Sequence, residues 1–252
     1  MIWYKAWLDT RWRFAAGLVI LILSGCAVVL GYPNAVKALA QVSPIGGEIG
    51  RQIAETAALV RDYRAYIWSQ WFRQNMRELW VLFAVLLGTG GLLAQVSRGG
   101  ALYTLALPVS RGRLLGARAG TALAELLILA LVPSLMIPLL STAIGQTYSV
   151  ADALVYAACL FIAGSVLFSF TFLLSTVFRD LWRPPLMTLC LAVVFRLLEQ
   201  FFVVEHFSLL SVVTGERYFH GEGVPWLGLF VSAAVSAGLL YAATRNIARQ
   251  DF

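Results

Sequence analysis

Arg196 and Glu199 stand three residues apart inside an otherwise apolar run, and a helix would set them on one face. A charge near the centre of a bilayer costs about 2.5–3.5 kcal/mol on insertion scales. Both side chains must therefore face protein or water, and pair with each other or with a neighbouring helix. Two roles suit such a pair: a gate or polar lining on a substrate path, or a salt bridge that fixes the packing of a bundle or dimer. Other chemistry is sparse. His206 and His220 share a segment with Glu205, Glu216 and Glu222, but the spacing matches no zinc pattern and reads as a solvated loop. There is no GxxxxGK[ST], HExxH or GxSxG, so no P-loop, zinc-protease or hydrolase chemistry is written into the chain. Cys26, Cys159 and Cys190 are odd in number and lie in apolar runs, which supports neither a disulfide framework nor a metal site. No catalytic residue, bound cofactor or metal is expected.

The elements that must position Arg196 and Glu199 follow from composition. Of 252 residues 60% are hydrophobic and 13% charged, and the mean hydropathy is +0.79. A soluble domain carries about 25% charged residues, so this chain lacks the charge to cover a surface in water. An all-α membrane protein is predicted, with residues 1–252 as one domain. A spanning helix needs about 20 mostly apolar residues. Six stretches qualify: Phe14–Gly31, Leu79–Ala94, Thr121–Ile144, Ala153–Val177, Leu186–Val204 and Trp226–Thr244. The first is too long for a signal peptide and no cleavage site follows it, so it reads as a retained span.

Basic residues set the orientation. With the N-terminus inside, the inner segments hold Lys5, Arg11, Arg13, Arg98, Arg111, Arg113, Arg118, Arg179, Arg183, Arg245 and Arg249. The short outer loops hold only Arg217. The long outer segment 32–78 is the exception, and it offsets its bases with Glu48, Glu55, Asp62 and Glu78. Both termini are therefore expected in the cytoplasm and the chain in the plasma (inner) membrane. The net charge of +6 then belongs to the inner face and to anionic lipid, not to nucleic acid.

Connecting segments have structure of their own. Trp3 and Trp7, and Lys5 and Asp9, repeat at i,i+4 before Arg11-Trp12-Arg13, a pattern that predicts a helix lying in the cytoplasmic interface. In the outer segment Ile49, Ile53, Val60 and Tyr63 share a helical face, and Trp68, Trp71 and Phe72 mark re-entry into the interface. The pairs Ala84/Gly88, Ser165/Ser169 and Ser232/Ser236 have the small-xxx-small spacing of close helix contacts. Pro133 and Pro138 should kink the third span.

The inner loop after the second span, 95–118, is the most specific stretch. Leu102, Leu105 and Val109 give an apolar face, while Pro108 disfavours helix at Leu107. The prediction is a short amphipathic helix, a break, and a new helix capped by Ser110. Arg111 and Arg113 then fall at a helix N-terminus, where cations are disfavoured by about 0.3–1 kcal/mol.

Thr104, Leu105, Leu107, Pro108, Val109, Ser110, Arg111, Leu114, Leu115 and Arg118 resemble a motif in the permease subunits of type-2 ABC exporters. The basic tail Arg245–Phe252 is similar to that family's ending. The family often has a Glu just before the motif, where this chain reads Ser97-Arg98-Gly99. The resemblance implies a half-transporter: two six-span subunits, this chain with a second copy or a related permease, above two separate ABC ATPase subunits that bind ATP and Mg. Gly99–Arg113 would be the coupling helix, with Gly99, Leu102, Thr104, Leu105, Leu107, Pro108, Val109, Ser110, Arg111 and Arg113 meeting the ATPase. The N-terminal interfacial helix would be the connecting helix, and Phe201–Val213 would form short re-entrant helices before the last span. An ion-coupled secondary transporter using Arg196 and Glu199 is the alternative, though no inverted repeat is visible. A non-transporting scaffold or sensor built around segment 32–78 is the third.

Overall fold

The computed structural model describes residues 2–40, 60–89, 111–178, 180–201 and 209–249. Among them there is no strand. The helices are α1 (Ile2–Ala40), α2 (Tyr63–Ile67), a π-helical stretch (Trp68–Met76), α3 (Arg77–Gly88), α4 (Arg111–Ala143), α5 (Val150–Val177), α6 (Arg183–Phe201), α7 (Leu209–Thr214), α8 (Glu216–Phe219) and α9 (Trp226–Ala248). Four of them, α1, α4, α5 and α9, are long and apolar enough to cross a membrane.

α5 is the hub. It packs against α3, α4, α6, α7 and α9, and it is the most buried of the four long helices. Small residues permit this. A Cβ on Gly88 of α3 would meet Thr171 Cβ at 2.9 Å and the Phe168 carbonyl at 3.1 Å, so only glycine lets α3 approach α5 there. Ser236 of α9 sits between Ser165 and Ser169 of α5, with Oγ–Oγ distances of 3.2 and 2.6 Å. Gly88, Ser165, Ser169 and Ser236 thus lie at helix contacts, and the three hydroxyls find partners inside an apolar bundle.

Side-chain contacts set the direction of each helix. Thr10 near the start of α1 meets Glu125 in the first half of α4, so these two run parallel. Tyr63 meets Ser141 at the far end of α4, so α3, which follows, returns toward the start of α1. Asn246 near the end of α9 donates to Thr176 at the end of α5. The N-terminal end of α1 and the C-terminal end of α9 therefore lie at the same end of the bundle. Lys5, Arg11, Arg13, Arg113, Arg118, Arg183, Arg245 and Arg249 gather there.

Three features differ from the sequence expectation. The first is that residues 2–40 form one unbroken helix, not an interfacial helix followed by a span. At about 1.5 Å per residue it is longer than the bilayer is thick. Its first turns are held upright by α4: Thr10 bonds Glu125, and Trp3 lies so close over Gly120 that a Cβ there would be 2.8 Å from the ring. A second difference is that residues 63–78, assigned to an outer loop, are helical and packed. Trp68, Trp71, Phe72 and Met76 are buried, and that burial outweighs the polar residues between them. Finally, the second helix ends at Gly88 with Thr89 extended, rather than running to Ala94. α4 begins at Arg111, the start expected from Pro108 and Ser110, and runs through Pro133 and Pro138. Two short helices, α7 and α8, do precede the last long helix.

Candidate functional site

Two polar constellations stand out in this apolar bundle. One ties Thr89, just before segment 90–110, to α1 and α4, and the other joins the start of α3 to the second half of α6.

At the loop root α3 stops at Gly88, because Thr89 turns to extended backbone. Helix ends leave carbonyls without partners, and those carbonyls attract cations. Here the Thr89 hydroxyl donates back to the Leu86 carbonyl at 2.6 Å. Arg13 of α1 donates from Nη1 to the same carbonyl at 2.8 Å and to Thr89 Oγ1 at 2.8 Å, with a longer contact of 3.4 Å to the Thr89 carbonyl. Arg118 of α4 donates from Nη2 to the Thr89 carbonyl at 3.1 Å. Thr89 itself is buried. The residue before segment 90–110 is thus tied to the helix after it, and both are tied to α1.

One turn from Arg13, the buried Thr10 hydroxyl donates to Glu125 Oε1 at 2.7 Å. Glu125, two turns beyond Arg118 on α4, is 3% exposed, and its Oε2 has no hydrogen-bond partner among the described residues.

Midway along the bundle, Arg196 of α6 donates to Glu78 of α3 at 2.7 Å. Arg77 stands beside Glu78 at 3.6 Å with its side chain largely covered. Glu78 lies ten residues from the end of α3 and Arg196 thirteen from the start of α6, so both are about 15–20 Å from the basic end. Both side chains remain about half exposed in the single chain.

The opposite end is aromatic. Tyr32, Tyr63, Tyr66, Tyr148, Phe72, Tyr156 and Tyr218 form a chain of ring contacts with centroids 4.7–6.4 Å apart. Arg64 pairs with Asp152 at 2.9 Å, and the Tyr218 hydroxyl donates to the same carboxylate at 2.8 Å. That bond, followed by burial, holds the Tyr218 phenol above its ordinary range. Burial does the same to Tyr148. Trp68 stacks on Phe219 at 3.9 Å and donates its indole N–H to the Thr214 carbonyl, which anchors the short helices α7 and α8.

The residues singled out from sequence fare unevenly. Gly99, Leu102, Thr104, Leu105, Leu107, Pro108, Val109 and Ser110 lie outside the described residues, as do Glu205 and His206. Arg111 is the first residue of α4, and Arg113 is exposed on its first turn. Arg196 takes its partner from a neighbouring helix, and Glu199 follows one turn on in α6. His220 packs its ring against Trp68 and Phe219. Sequence reasoning passed over Glu78, Thr89 and Glu125. Glu125 was visible by the argument that picked out Arg196, a lone charge in an apolar run. Glu78 was hidden by its place at the edge of a hydropathy window, and Thr89 carries no sequence signal.

No protein-family model, curated protein or solved structure matches this chain.

Proposed function

We propose that this chain is the permease subunit of an ATP-driven exporter of the type-2 ABC kind, forming the substrate path and coupling to a separate ATPase. The observation that carries the reading is the double arginine clamp on Thr89. Thr89, just before segment 90–110, whose sequence resembles a coupling helix, is bonded to Arg118 of the helix that follows the segment and to Arg13 of α1. A push on the segment from below passes into three helices together, as rigid-body alternation between two packings requires.

In this reading six helices cross the inner membrane. α3 with the helical residues before it, and α6, are the second and fifth crossings, and both termini lie in the cytoplasm with the basic end. Leu102, Thr104, Leu105, Leu107, Pro108 and Val109 seat the segment in a groove of the ATPase, and Gly99, Ser110, Arg111 and Arg113 flank it. ATP and Mg belong to the two ATPase subunits. The half-exposed Arg196–Glu78 pair supports a second permease subunit, because an ion pair at that depth must face protein or water rather than lipid. It would lie on the substrate path or at the contact between the two copies, with Glu199 beside it.

Purification from native membranes tests the proposal. The chain should bring down an ATPase with a P-loop, and Leu105→Asp or Val109→Asp should abolish the association. Wild-type amounts of ATPase retained by both variants would overturn it.

A further inference from the structure

Glu125 is the buried group whose chemistry the transport reading leaves unused. It sits in the seam between α1 and α4, 3% exposed, with one hydrogen bond, from Thr10, and a second oxygen that no described group reaches. An ionised carboxylate has about four acceptor positions, and burying it with a single neutral donor is strongly unfavourable. The charges nearby are engaged elsewhere. On α1, Arg13 is spent on Leu86 and Thr89, while Asp9 is exposed and acidic. Lys5 lies more than a turn beyond Thr10 and makes contacts of its own. On α4 itself, Arg118 is two turns away and donates to Thr89. α3 has Arg77 and Glu78 toward its other end, α5 has Asp152 at its far end, and Arg245 of α9 is turned onto Tyr241. No described cation is therefore placed to neutralise Glu125.

Its surroundings fit the neutral acid. Thr10 Oγ1 lies 2.7 Å from Glu125 Oε1, 3.2 Å from the Ala6 carbonyl and 3.3 Å from the Trp7 carbonyl. A hydroxyl has one proton and can also accept. With a proton on Glu125 the short contact reverses: the acid donates to Thr10, and Thr10 donates to the Ala6 carbonyl. Each proton in the chain then has an acceptor, and no charge is left in the seam.

We propose that Glu125 is a proton-binding site whose occupancy latches the first turns of α1 to α4. Binding is a simple protonation: one proton joins the carboxylate oxygen facing Thr10, and its loss returns a negative charge to the seam. The same two helices carry the arginines that hold Thr89, so the proton acts at the root of segment 90–110. The inference goes beyond the transport reading and does not depend on it.

Infrared difference spectra of the full chain in lipid nanodiscs, stepped from acidic to alkaline pH, test it. Wild type should show a carboxylic-acid carbonyl band that fades as pH rises and is missing from Glu125→Gln, whose amide mimics the neutral acid. Thr10→Val should move the band to higher wavenumber, since the acid loses its acceptor, and this variant serves if Glu125→Gln folds poorly. After correction for the intrinsic rate, hydrogen exchange of residues 2–13 should accelerate with pH in wild type and stay flat in Glu125→Gln. A band identical in wild type and both variants, or exchange with the same pH response in wild type and Glu125→Gln, would overturn the proposal.

Discussion

Removing Arg13 and Arg118 singly and together measures whether the Thr89 clamp is one unit. Arg13 makes two good charged hydrogen bonds, to the Leu86 carbonyl and Thr89 Oγ1, and Arg118 makes one, to the Thr89 carbonyl. A hydrogen bond to a charged group is worth about 1.5–3 kcal/mol net. All three bonds are part-buried, so the lower part of that range applies: about 3 kcal/mol for the two bonds lost in Arg13→Ala and about 1.5 kcal/mol for the one lost in Arg118→Ala. Neither single change orphans a carbonyl. Leu86 keeps the Thr89 hydroxyl, and the Thr89 carbonyl keeps whichever arginine remains. Only the double variant leaves the buried Thr89 carbonyl without either donor, at a further cost of about 1 kcal/mol or more. The double variant should therefore be less stable than the sum of the singles by about 1 kcal/mol. Equilibrium unfolding in mixed micelles of rising sodium dodecyl sulfate content reads all four corners of the cycle. Arg11→Ala is the control, because Arg11 is exposed and its one described contact is with the Trp12 ring at 5.4 Å. Additivity within about 0.5 kcal/mol would refute the shared clamp, as would an Arg13→Ala effect no larger than that of Arg11→Ala.

Other perturbations probe the bundle and its mid-depth pair. A Cβ at Gly164 would overlap the buried Trp80 ring, whose Cη2 and Cε3 lie 3.0 and 3.1 Å from it. Gly164→Ala should cost about 1–3 kcal/mol by overpacking, whereas Gly116→Ala, with open space around it, should stabilise α4 by about 0.5–1 kcal/mol. Thermal shift in detergent distinguishes the two signs. Ser236→Val should separate α9 from α5 more than Ser236→Ala does, because it adds bulk as well as removing the hydroxyl that Ser165 and Ser169 share; the same melting assay ranks them. Arg196→Glu would set two acids together and should depress the inserted yield, and adding Glu78→Arg should restore it. Equal yields for the single and the swapped variant, measured by in-gel fluorescence of a fused reporter, would mean that the pair contributes nothing to assembly.

How far the chain could be read depended on where its signals are physical and local. The four long helices were legible because apolar runs of that length have no other stable home: α5 and α9 start within three residues of the expected spans, and α4 starts at Arg111, where Pro108 and Ser110 placed a new helix, ten residues before its apolar run. α1 was misjudged because a Trp- and Arg-rich amphipathic stretch suits a membrane surface equally well lying flat or continuing upward. What decides between them is tertiary: Trp3 on Gly120, Thr10 on Glu125 and Arg13 on Thr89. The π-helical stretch was illegible for a similar reason. Gln70, Arg73, Gln74 and Asn75 lower its mean hydropathy, yet one face carries Trp68, Trp71, Phe72 and Met76 into the core, and Arg73 is folded over the Trp68 ring at 5.3 Å.

The candidate sites divide along the same line. A lone charge in an apolar run is readable, since the membrane makes it costly wherever it falls, and that rule found Arg196. Applied evenly it also finds Glu125, and once the second helix is known to begin near Tyr63 it finds Glu78. The partner of each is not readable: Arg196 chose Glu78, 118 residues away, and Glu125 found Thr10, 115 residues away. Spacing within one helix offered Glu199 as the obvious mate for Arg196, but a three-residue step on one face competes with any helix packed alongside. The polar groups of a membrane bundle are thus countable from sequence, while their pairing is a property of how the helices pack.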